Sequence, residues 1–172
     1  MTLAPDGSIQ DSPPKPLPVV SDGIPDELKV RRQWANWKYA RAGGKWTKHP
    51  FNPRTGRKAS STDLTTWSTF KDVFRAYDAG GYDGVGFVFC SADPYVGVDL
   101  DGCVNPETGE VETWAIQVIE GLDSYTELSP SGTGVHIIAR GKIPHSGRRG
   151  PLEMYTQDRF FCVTGRLLGE AR

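Results

Sequence analysis

The chain contains few residues of the kinds that build cross-links or zinc sites. Its 172 residues include three cysteines, Cys90, Cys103 and Cys162, and three histidines. An odd number of cysteines cannot form a fully paired disulfide framework, and no CxxC or zinc-finger spacing is present. No apolar run approaches the ~20 residues that a membrane span requires. These absences argue against secreted disulfide-rich, structural-zinc and membrane proteins.

We expect no signal peptide, because the N-terminus lacks the required charged and apolar blocks. We therefore predict a cytoplasmic protein. The composition, 37% hydrophobic and 24% charged, is ordinary for a globular domain. A chain of this length corresponds to about one domain and buries roughly 70% of its unfolded surface, so it needs no cross-link to fold.

Acidic residues are absent from residues 29–62, although the net charge of the whole chain is only −1. That segment contains ten of the 20 basic residues, whereas residues 63–138 contain thirteen acidic and two basic residues. Trp34, Trp37 and Trp46 are interleaved with the basic residues. Basic side chains displace counterions from phosphates and aromatic rings stack on bases, so the segment favours a nucleic-acid or nucleotide partner. The alternative is a solvated basic surface above tryptophans of the core.

Proline content divides the chain in two. Residues 1–28 contain six of the 13 prolines and little apolar periodicity, so we predict a disordered leader followed by one domain over residues 29–172. Alternation and apolar runs predict strands: Gln33–Ala40, Val85–Cys90, Tyr95–Asp101, Ser124–Leu128, Val135–Arg140, Leu152–Tyr155 and Arg159–Thr164. A polar loop is expected at Gly43–Lys58. This order, with two helices, predicts an α+β or α/β domain.

The two helices are predicted from residues that recur at three- and four-residue steps. The first carries Leu64, Trp67, Phe70, Phe74 and Tyr77, is capped by Ser61 or Thr62 and ends at Gly80-Gly81. The second spans Glu112–Leu122 and buries Trp114, Ala115, Val118, Ile119 and Leu122.

Two carboxylates lie on one face of the strand Tyr95–Asp101, whose sequence is YVGVDLD. Successive side chains of a strand point to opposite faces, so the valines and the leucine face the core. Asp99 and Asp101 face the other way together, roughly 7 Å apart along the strand. Neighbouring carboxylates repel each other unless a cation lies between them, and oxygen ligands suit Mg²⁺ or Mn²⁺. The pattern favours a divalent-metal site; the alternative is a strand end that enters a polar turn.

A glycine-containing loop leads directly into another strand, in the sequence SPSGTGVH over Ser129–His136. Gly132 and Gly134 allow backbone N–H groups to approach an anion, and Ser131 adds a hydroxyl donor. His136 is the second residue of the strand and points to the face opposite its neighbours. These residues are candidates for binding phosphate groups; the alternative is a tight hairpin with a satisfied histidine.

A third carboxylate comes from the strand Leu152–Tyr155. Leu152 and Met154 alternate with Glu153 and Tyr155, so Glu153 projects from the polar face. A third carboxylate fits a two-metal site. Taken alone, Glu153 is typical of an exposed strand residue.

The ordered set of these motifs, followed by Arg159–Gly165, resembles the archaeo-eukaryotic primase superfamily. Within it, the chain is similar to the primase–polymerase (prim-pol) domains of phage and plasmid replication proteins. The upstream sequence agrees through the segments WANW, KHPFNP and ASSTD and through Trp67. The resemblance covers about residues 30–167.

The resemblance implies an α/β (α+β) prim-pol fold, in which an N-terminal α/β module packs on an RRM-like module and the active site lies in the cleft between them. It implies a DNA primase/polymerase that adds nucleotides to a 3′-hydroxyl with release of pyrophosphate. Asp99, Asp101 and Glu153 are then the catalytic residues and the ligands of two Mg²⁺ or Mn²⁺ ions.

The same resemblance implies which residues bind the incoming dNTP or NTP: His136, Ser131, Gly132, Gly134, Lys48 and Arg159. The implied partners are a single-stranded DNA template and its primer, with no membrane. Replication proteins of this kind often continue into a helicase, so a helicase domain in the same full-length chain is a further candidate partner.

Two other functions remain open at this point. A non-catalytic module could bind single-stranded nucleic acid through the basic, tryptophan-rich segment alone. The segment VDLDG also resembles the first motif of haloacid-dehalogenase-type phosphatases, with Asp99 as nucleophile and Asp101 as general acid/base. That function needs a downstream lysine and an acidic pair, but Lys142 is the only lysine after Asp101 and no such pair follows.

Overall fold

The computed structural model describes residues 12–169. The strands within that range are β1 (Trp34–Ala42), β2 (Lys45–Phe51), β3 (Gly84–Phe89), β4 (Tyr95–Leu100), β5 (Tyr125–Leu128), β6 (Val135–Arg140), β7 (Gly147–Arg149), β8 (Leu152–Tyr155) and β9 (Arg159–Val163). The helices are α1 (Asp26–Lys29), α2 (Phe70–Asp78) and α3 (Thr113–Leu122), with single 3-10 turns at Ser21–Gly23 and Leu64–Thr66.

The strands form two antiparallel sheets. One has four strands in the order β2-β1-β3-β9, and the other has five in the order β5-β6-β4-β8-β7. The last strand of the described residues, β9, therefore lies in the same sheet as β1. Two antiparallel sheets with few helices confirm the α+β fold class, while the expected division into an α/β module and an RRM-like module stays a prediction.

Aromatic residues fill the core beneath the four-stranded sheet. Trp34 and Trp37 of β1 are fully buried, and the Trp34 ring meets Phe70 of α2 and Phe87 of β3 edge to face. The Trp34 indole N–H donates to the Leu28 carbonyl at 3.0 Å. Trp34 belongs to this core, whereas Trp37 is buried on the opposite face of β1, under Lys48. Neither can stack on bases, and Trp46 is half-buried.

Alternation along β4 separates an apolar face from a polar one, as the sequence predicts. Val96, Val98 and Leu100 are buried in one cluster with β6 residues and with Ala115 of α3. The predicted apolar face of α3 packs on this cluster. The opposite face of β4 carries Asp99, and α3 is therefore on the far side of the sheet from that carboxylate.

A glycine lets the two sheets approach each other. A Cβ atom at Gly97 of β4 would lie 2.7 Å from the Phe89 ring of β3 and 2.9 Å from the Phe161 ring of β9. Only a residue without a side chain fits between these rings. The polar end of β4 is thereby held close to the four-stranded sheet.

The expectation of a disordered leader over residues 1–28 is wrong for its second half; residues 1–11 lie outside the described residues. Ile24 and Leu28 are buried in the main core, at 2% and 1% exposure. The Val20 amide donates to the Thr164 carbonyl at 2.7 Å. Prolines make the segment irregular, but its apolar side chains still complete the core.

Two local predictions also need correction. The segment Gly43–Lys58 is not a loop throughout, because β2 pairs with β1 along its whole length. The helix predicted from Leu64 is broken: a 3-10 turn is followed by α2, which begins after Thr69. The Thr69 hydroxyl accepts from the Asp72 amide at 3.2 Å, which caps α2 in place of Ser61 or Thr62.

Among the described residues, no helix combines the length and the hydrophobicity needed to cross a membrane.

Ile24→Ala is expected to destabilise the domain by about 2–4 kcal/mol, because a buried isoleucine side chain is replaced by a cavity. Val30→Ala is the matched control, since Val30 lies in the same segment at 84% exposure. Chemical denaturation of both variants measures the difference. Equal stabilities of the Ile24 variant and the wild type would mean that the N-terminal segment does not contribute to the core.

Candidate active site

A row of five ionisable side chains crosses the whole five-stranded sheet. Strand register pairs Glu127 of β5 with His136 of β6, His136 with Asp99 of β4, Asp99 with Glu153 of β8, and Glu153 with Arg148 of β7. Directly paired residues of antiparallel strands project from the same face. The fold therefore brings Asp99, His136 and Glu153, which are far apart in the sequence, to adjacent positions.

A cavity of about 670 Å³ lies over the middle of this row. The five-stranded sheet contributes Asp99 and His136, the four-stranded sheet contributes Lys48 of β2, and Arg159 lies at the start of β9. Serines of the segment after β2, Ser60 and Ser61, complete the opposite wall. The volume is in the range of small-molecule ligand sites, and the lining combines the cations with two carboxylates, Asp99 and Asp158.

The Asp99 carboxyl is mostly buried, with its side chain 22% exposed. Burial raises the pKa of Asp99 above the usual range, and the charges of Asp101 and Glu153 raise that pKa further. His136 and Lys48 act in the opposite direction but do not cancel the effect. Asp99 is thus a desolvated carboxylate with too little positive charge around it, a condition that a bound cation would relieve.

The imidazole of His136 is held on several sides. Its Nδ1 lies 2.8 Å from the Cys162 carbonyl oxygen, and its Nε2 lies 3.6 Å from Asp99 Oδ1. The ring also packs against Phe161, with centroids 4.2 Å apart. Because a carbonyl only accepts, Nδ1 donates to Cys162, and Nε2 is left toward Asp99 and the cavity.

Glu127 is the functional candidate that the sequence analysis missed. Its carboxylate is completely buried, and its Oε1 lies 3.5 Å from His136 Nδ1. A signal was present in the sequence: counting back from the Ser129–Gly134 loop as a hairpin places Glu127 directly opposite His136. The loop was interpreted as a phosphate-binding element and not as the turn of a hairpin, so the pairing of Glu127 with His136 was not predicted.

Glu153 is engaged by two arginines. Its Oε1 lies 2.8 Å from Arg148 Nη1, and its Oε2 lies 3.8 Å from Arg159 Nη2. Arg159 also donates to the Tyr155 hydroxyl at 3.0 Å and stacks over the Tyr155 ring. Both arginines are more than half exposed, so the pairs lie at the edge of the site, where ion pairs contribute little.

Arg148→Gln is expected to leave Mn²⁺ affinity unchanged or to strengthen it by up to about fivefold, because an exposed ion pair is worth about 0.2–1 kcal/mol. Arg149→Gln is the matched control, since Arg149 is the next exposed residue of β7 and pairs with Leu152 instead. Titration of Mn²⁺ by electron paramagnetic resonance measures both. Weaker binding in the Arg148 variant alone would contradict the competition of Arg148 for Glu153.

The structure does not bring every predicted residue to the cavity: Glu153 is paired beside Asp99 but does not line the cavity. Asp101 lies in the exposed turn after β4, although its charge reaches Asp99. Ser131 and Gly132 line a separate cavity beside Leu17. Gly134 is buried, and a Cβ there would lie 2.8 Å from the Leu100 carbonyl, so this glycine is required by strand packing.

Cysteine chemistry does not contribute at the cavity, although Cys162 lines it. Burial raises the pKa of the Cys162 thiol to about 12. A thiol with that pKa stays protonated at neutral pH and is a poor nucleophile and a poor metal ligand.

The donor chemistry fits a hard divalent cation. Asp99, Asp101 and Glu153 offer carboxylate oxygens only, the ligands that Mg²⁺ and Mn²⁺ prefer. In the described part of the chain, no three His, Cys, Asp or Glu side chains converge on one point. Binding an ion therefore requires the side chains of Asp101 and Glu153 to turn toward Asp99, and Glu153 to leave Arg148.

No family model matches the chain, whereas comparison with curated proteins found a relative. Over 142 residues the chain is 36% identical to a protein of Nitratiruptor phage NrS-1 described as a DNA primase-polymerase. The aligned region includes 78% of this chain but only 19% of the phage protein. The chain thus spans about a fifth of the length of that relative.

Proposed function

We propose, on the premise that this chain contains a primase–polymerase domain, that it is a nucleotidyltransferase of DNA replication. The resemblance found in the sequence is borne out by the 36% identity to the phage protein. The observation that carries the proposal is the cavity that Asp99 and His136 line together with Lys48 and Arg159, with Glu153 paired beside Asp99 in the same row.

In the proposed reaction, the oxygen of a primer 3′-hydroxyl attacks the α-phosphorus of a dNTP or NTP. The new ester bond forms as the bond from the α-phosphorus to its bridging oxygen breaks, pyrophosphate leaves, and the hydroxyl proton is released to water. The chain's own contribution is to hold the two reactants in line and to surround the phosphates with positive charge.

Asp99, Asp101 and Glu153 are the proposed ligands of two Mg²⁺ or Mn²⁺ ions. When bound, such ions neutralise charge on the phosphates and lower the pKa of an attacking hydroxyl. Desolvation of the Asp99 carboxylate supports this assignment, because a buried carboxylate with carboxylate neighbours gains most from a cation.

Phosphate binding is assigned to three residues of the cavity wall. His136 directs Nε2 toward the cavity, and Lys48 and Arg159 add positive charge from two other strands. The serine–glycine loop with Ser131, Gly132 and Gly134 has less support, since its first two residues line a different cavity. A single-stranded DNA template and primer are the proposed partners, with the basic segment 29–62 contacting their backbone.

The wider context is part of the proposal too. A phage or plasmid replication protein, acting in the cytoplasm, is the setting that the relative's description favours. A helicase domain in a longer chain is proposed from the same resemblance. Binding of single-stranded nucleic acid without catalysis is less well supported, because Trp34 and Trp37 are unavailable for stacking.

Extension of a labelled primer on a single-stranded template tests the proposal, with dNTPs, NTPs, Mg²⁺ and Mn²⁺ varied in turn. Templated extension that requires a divalent cation is expected. Nucleotide binding without extension would mean that the nucleotide site is competent but that a further segment is needed to hold the template. Absence of both would favour the binding module, and hydrolysis of a generic phosphate ester would favour the phosphatase.

A further inference from the structure

We propose that Glu127 is a positioning residue that fixes the proton of His136 on Nδ1 and thereby presents Nε2 to the phosphates. This inference rests on the proposed function for the role of His136. Glu127 itself is 0% exposed, so it cannot touch a bound nucleotide directly.

The orientation of the Glu127 carboxylate is set by one of its oxygens. Oε2 accepts three hydrogen bonds: from the Tyr125 hydroxyl at 2.6 Å, the Thr164 amide at 3.0 Å and the Gly165 amide at 2.6 Å. Burial and the charge of Glu127 raise the pKa of Tyr125 far above its usual range, so this hydroxyl stays a donor. With Oε2 saturated, the carboxylate has no freedom to turn.

The other oxygen is left facing the histidine. Oε1 is buried without a hydrogen-bond partner, and His136 Nδ1 lies 3.5 Å away. A buried acceptor without a partner costs free energy. A role limited to anchoring the Thr164–Gly165 turn does not explain a charge here, because the oxygen of a glutamine would accept the same three bonds.

The two acceptors around Nδ1 define the histidine's state. The Cys162 carbonyl and Glu127 Oε1 both lie on the Nδ1 side, and neither can donate a proton. Both oxygens therefore favour a proton on Nδ1, because a lone pair on Nδ1 would face the lone pairs of the two oxygens. The ring nitrogen at Nε2, 3.6 Å from Asp99, is the one that reaches the cavity.

The ¹⁵N shifts of His136 in the metal-free wild-type protein test the first half of the inference. The chain has three histidines, so His49→Gln and His145→Gln spectra assign the third. A proton on Nδ1, with or without one on Nε2, is expected. A proton on Nε2 alone would overturn the inference, whatever the stability of any Glu127 variant.

Glu127→Gln tests the second half, because it is nearly isosteric and changes one atom at the critical place. If the oxygen of the glutamine keeps the three hydrogen bonds of Oε2, its NH₂ group takes the position of Oε1. Two donors, this NH₂ group and the Nδ1 N–H, then face each other, which disfavours a proton on Nδ1. A changed His136 ¹⁵N signature is expected, with a rise of about 10- to 100-fold in nucleotide KM, the size typical of residues that orient a ligand-binding histidine.

Glu120→Gln is the matched control, since it makes the same chemical change at an exposed position of α3. It is expected to leave both the spectrum and KM unchanged. A folded Glu127→Gln variant with the wild-type His136 spectrum would overturn the inference. Failure of the proposed function is distinguishable, because it would abolish extension in the wild type without affecting the ¹⁵N measurement.

Discussion

Asp99→Asn is expected to reduce nucleotide incorporation by about 10³-fold or more. The charge stabilisation that a metal supplies at a phosphoryl centre is worth several kcal/mol, and each 1.36 kcal/mol is tenfold in rate. Rates of primer extension at saturating nucleotide measure the effect. Asp101→Asn is expected to act in the same direction, and Asp78→Asn, at an exposed position outside the cavity, is the control for charge.

The same Asp99→Asn variant is expected to fold at least as well as the wild type without metal. Burial and like charges raise the pKa of Asp99 in the folded state, so its ionised form destabilises the fold. The wild type therefore loses stability relative to the variant as the pH rises from the ordinary aspartate pKa through the raised one, and the difference persists above it. Thermal unfolding in EDTA across that range measures this.

Full extension activity of the Asp99→Asn variant would contradict the assignment of Asp99 as a metal ligand. A variant that is inactive and also strongly destabilised would instead identify Asp99 as a structural residue. The expected combination, an inactive protein of equal or higher stability, is the pattern of a residue retained for function at a cost to the fold.

His136→Ala is expected to raise the nucleotide KM by about 10- to 100-fold, because a hydrogen bond to a charged group is worth about 1.5–3 kcal/mol. The effect on kcat at saturating nucleotide should be smaller if the histidine binds the ground-state phosphates. Steady-state incorporation at varied nucleotide concentration separates the two constants.

His145→Ala is the control for His136, since His145 is exposed in the segment after β6. His136→Gln provides a second variant that fills more of the space beside Phe161 and keeps the packing closer to that of the wild type. Unchanged KM and kcat in both His136 variants would exclude a role in nucleotide binding.

Strand alternation was enough to predict three of the five members of the ionisable row. The pattern of β4 separates Asp99 from its apolar neighbours, and β6 and β8 have the predicted bounds. Alternation within a single strand predicts which face carries Asp99, His136 or Glu153. It does not predict which strand lies next to it in the sheet. Strand pairing was not known, and so Glu127 and Arg148, which join the row only through register, were missed.

The failures at the N-terminal side have a common physical cause. Local composition predicts a disordered leader from its prolines and a loop from the glycines and prolines near β2. Whether a segment is buried depends instead on the apolar surface that the rest of the fold leaves exposed. Ile24 and Leu28 fill a core that the later strands leave open, and β2 extends a sheet whose edge β1 would otherwise expose. Such tertiary demands override local composition.

The ionisable row across the five-stranded sheet also makes the stability of the fold depend on the correct register of its strands. Its members come from five strands, and a slip of one residue in β4, β5, β6 or β8 would turn that strand's member toward the face that carries α3 and the apolar cluster. A misaligned chain would thus bury a charge and lose stability as well as the site. Compact states with the wrong register are therefore less stable than the native one, because they bury a charge without its partner.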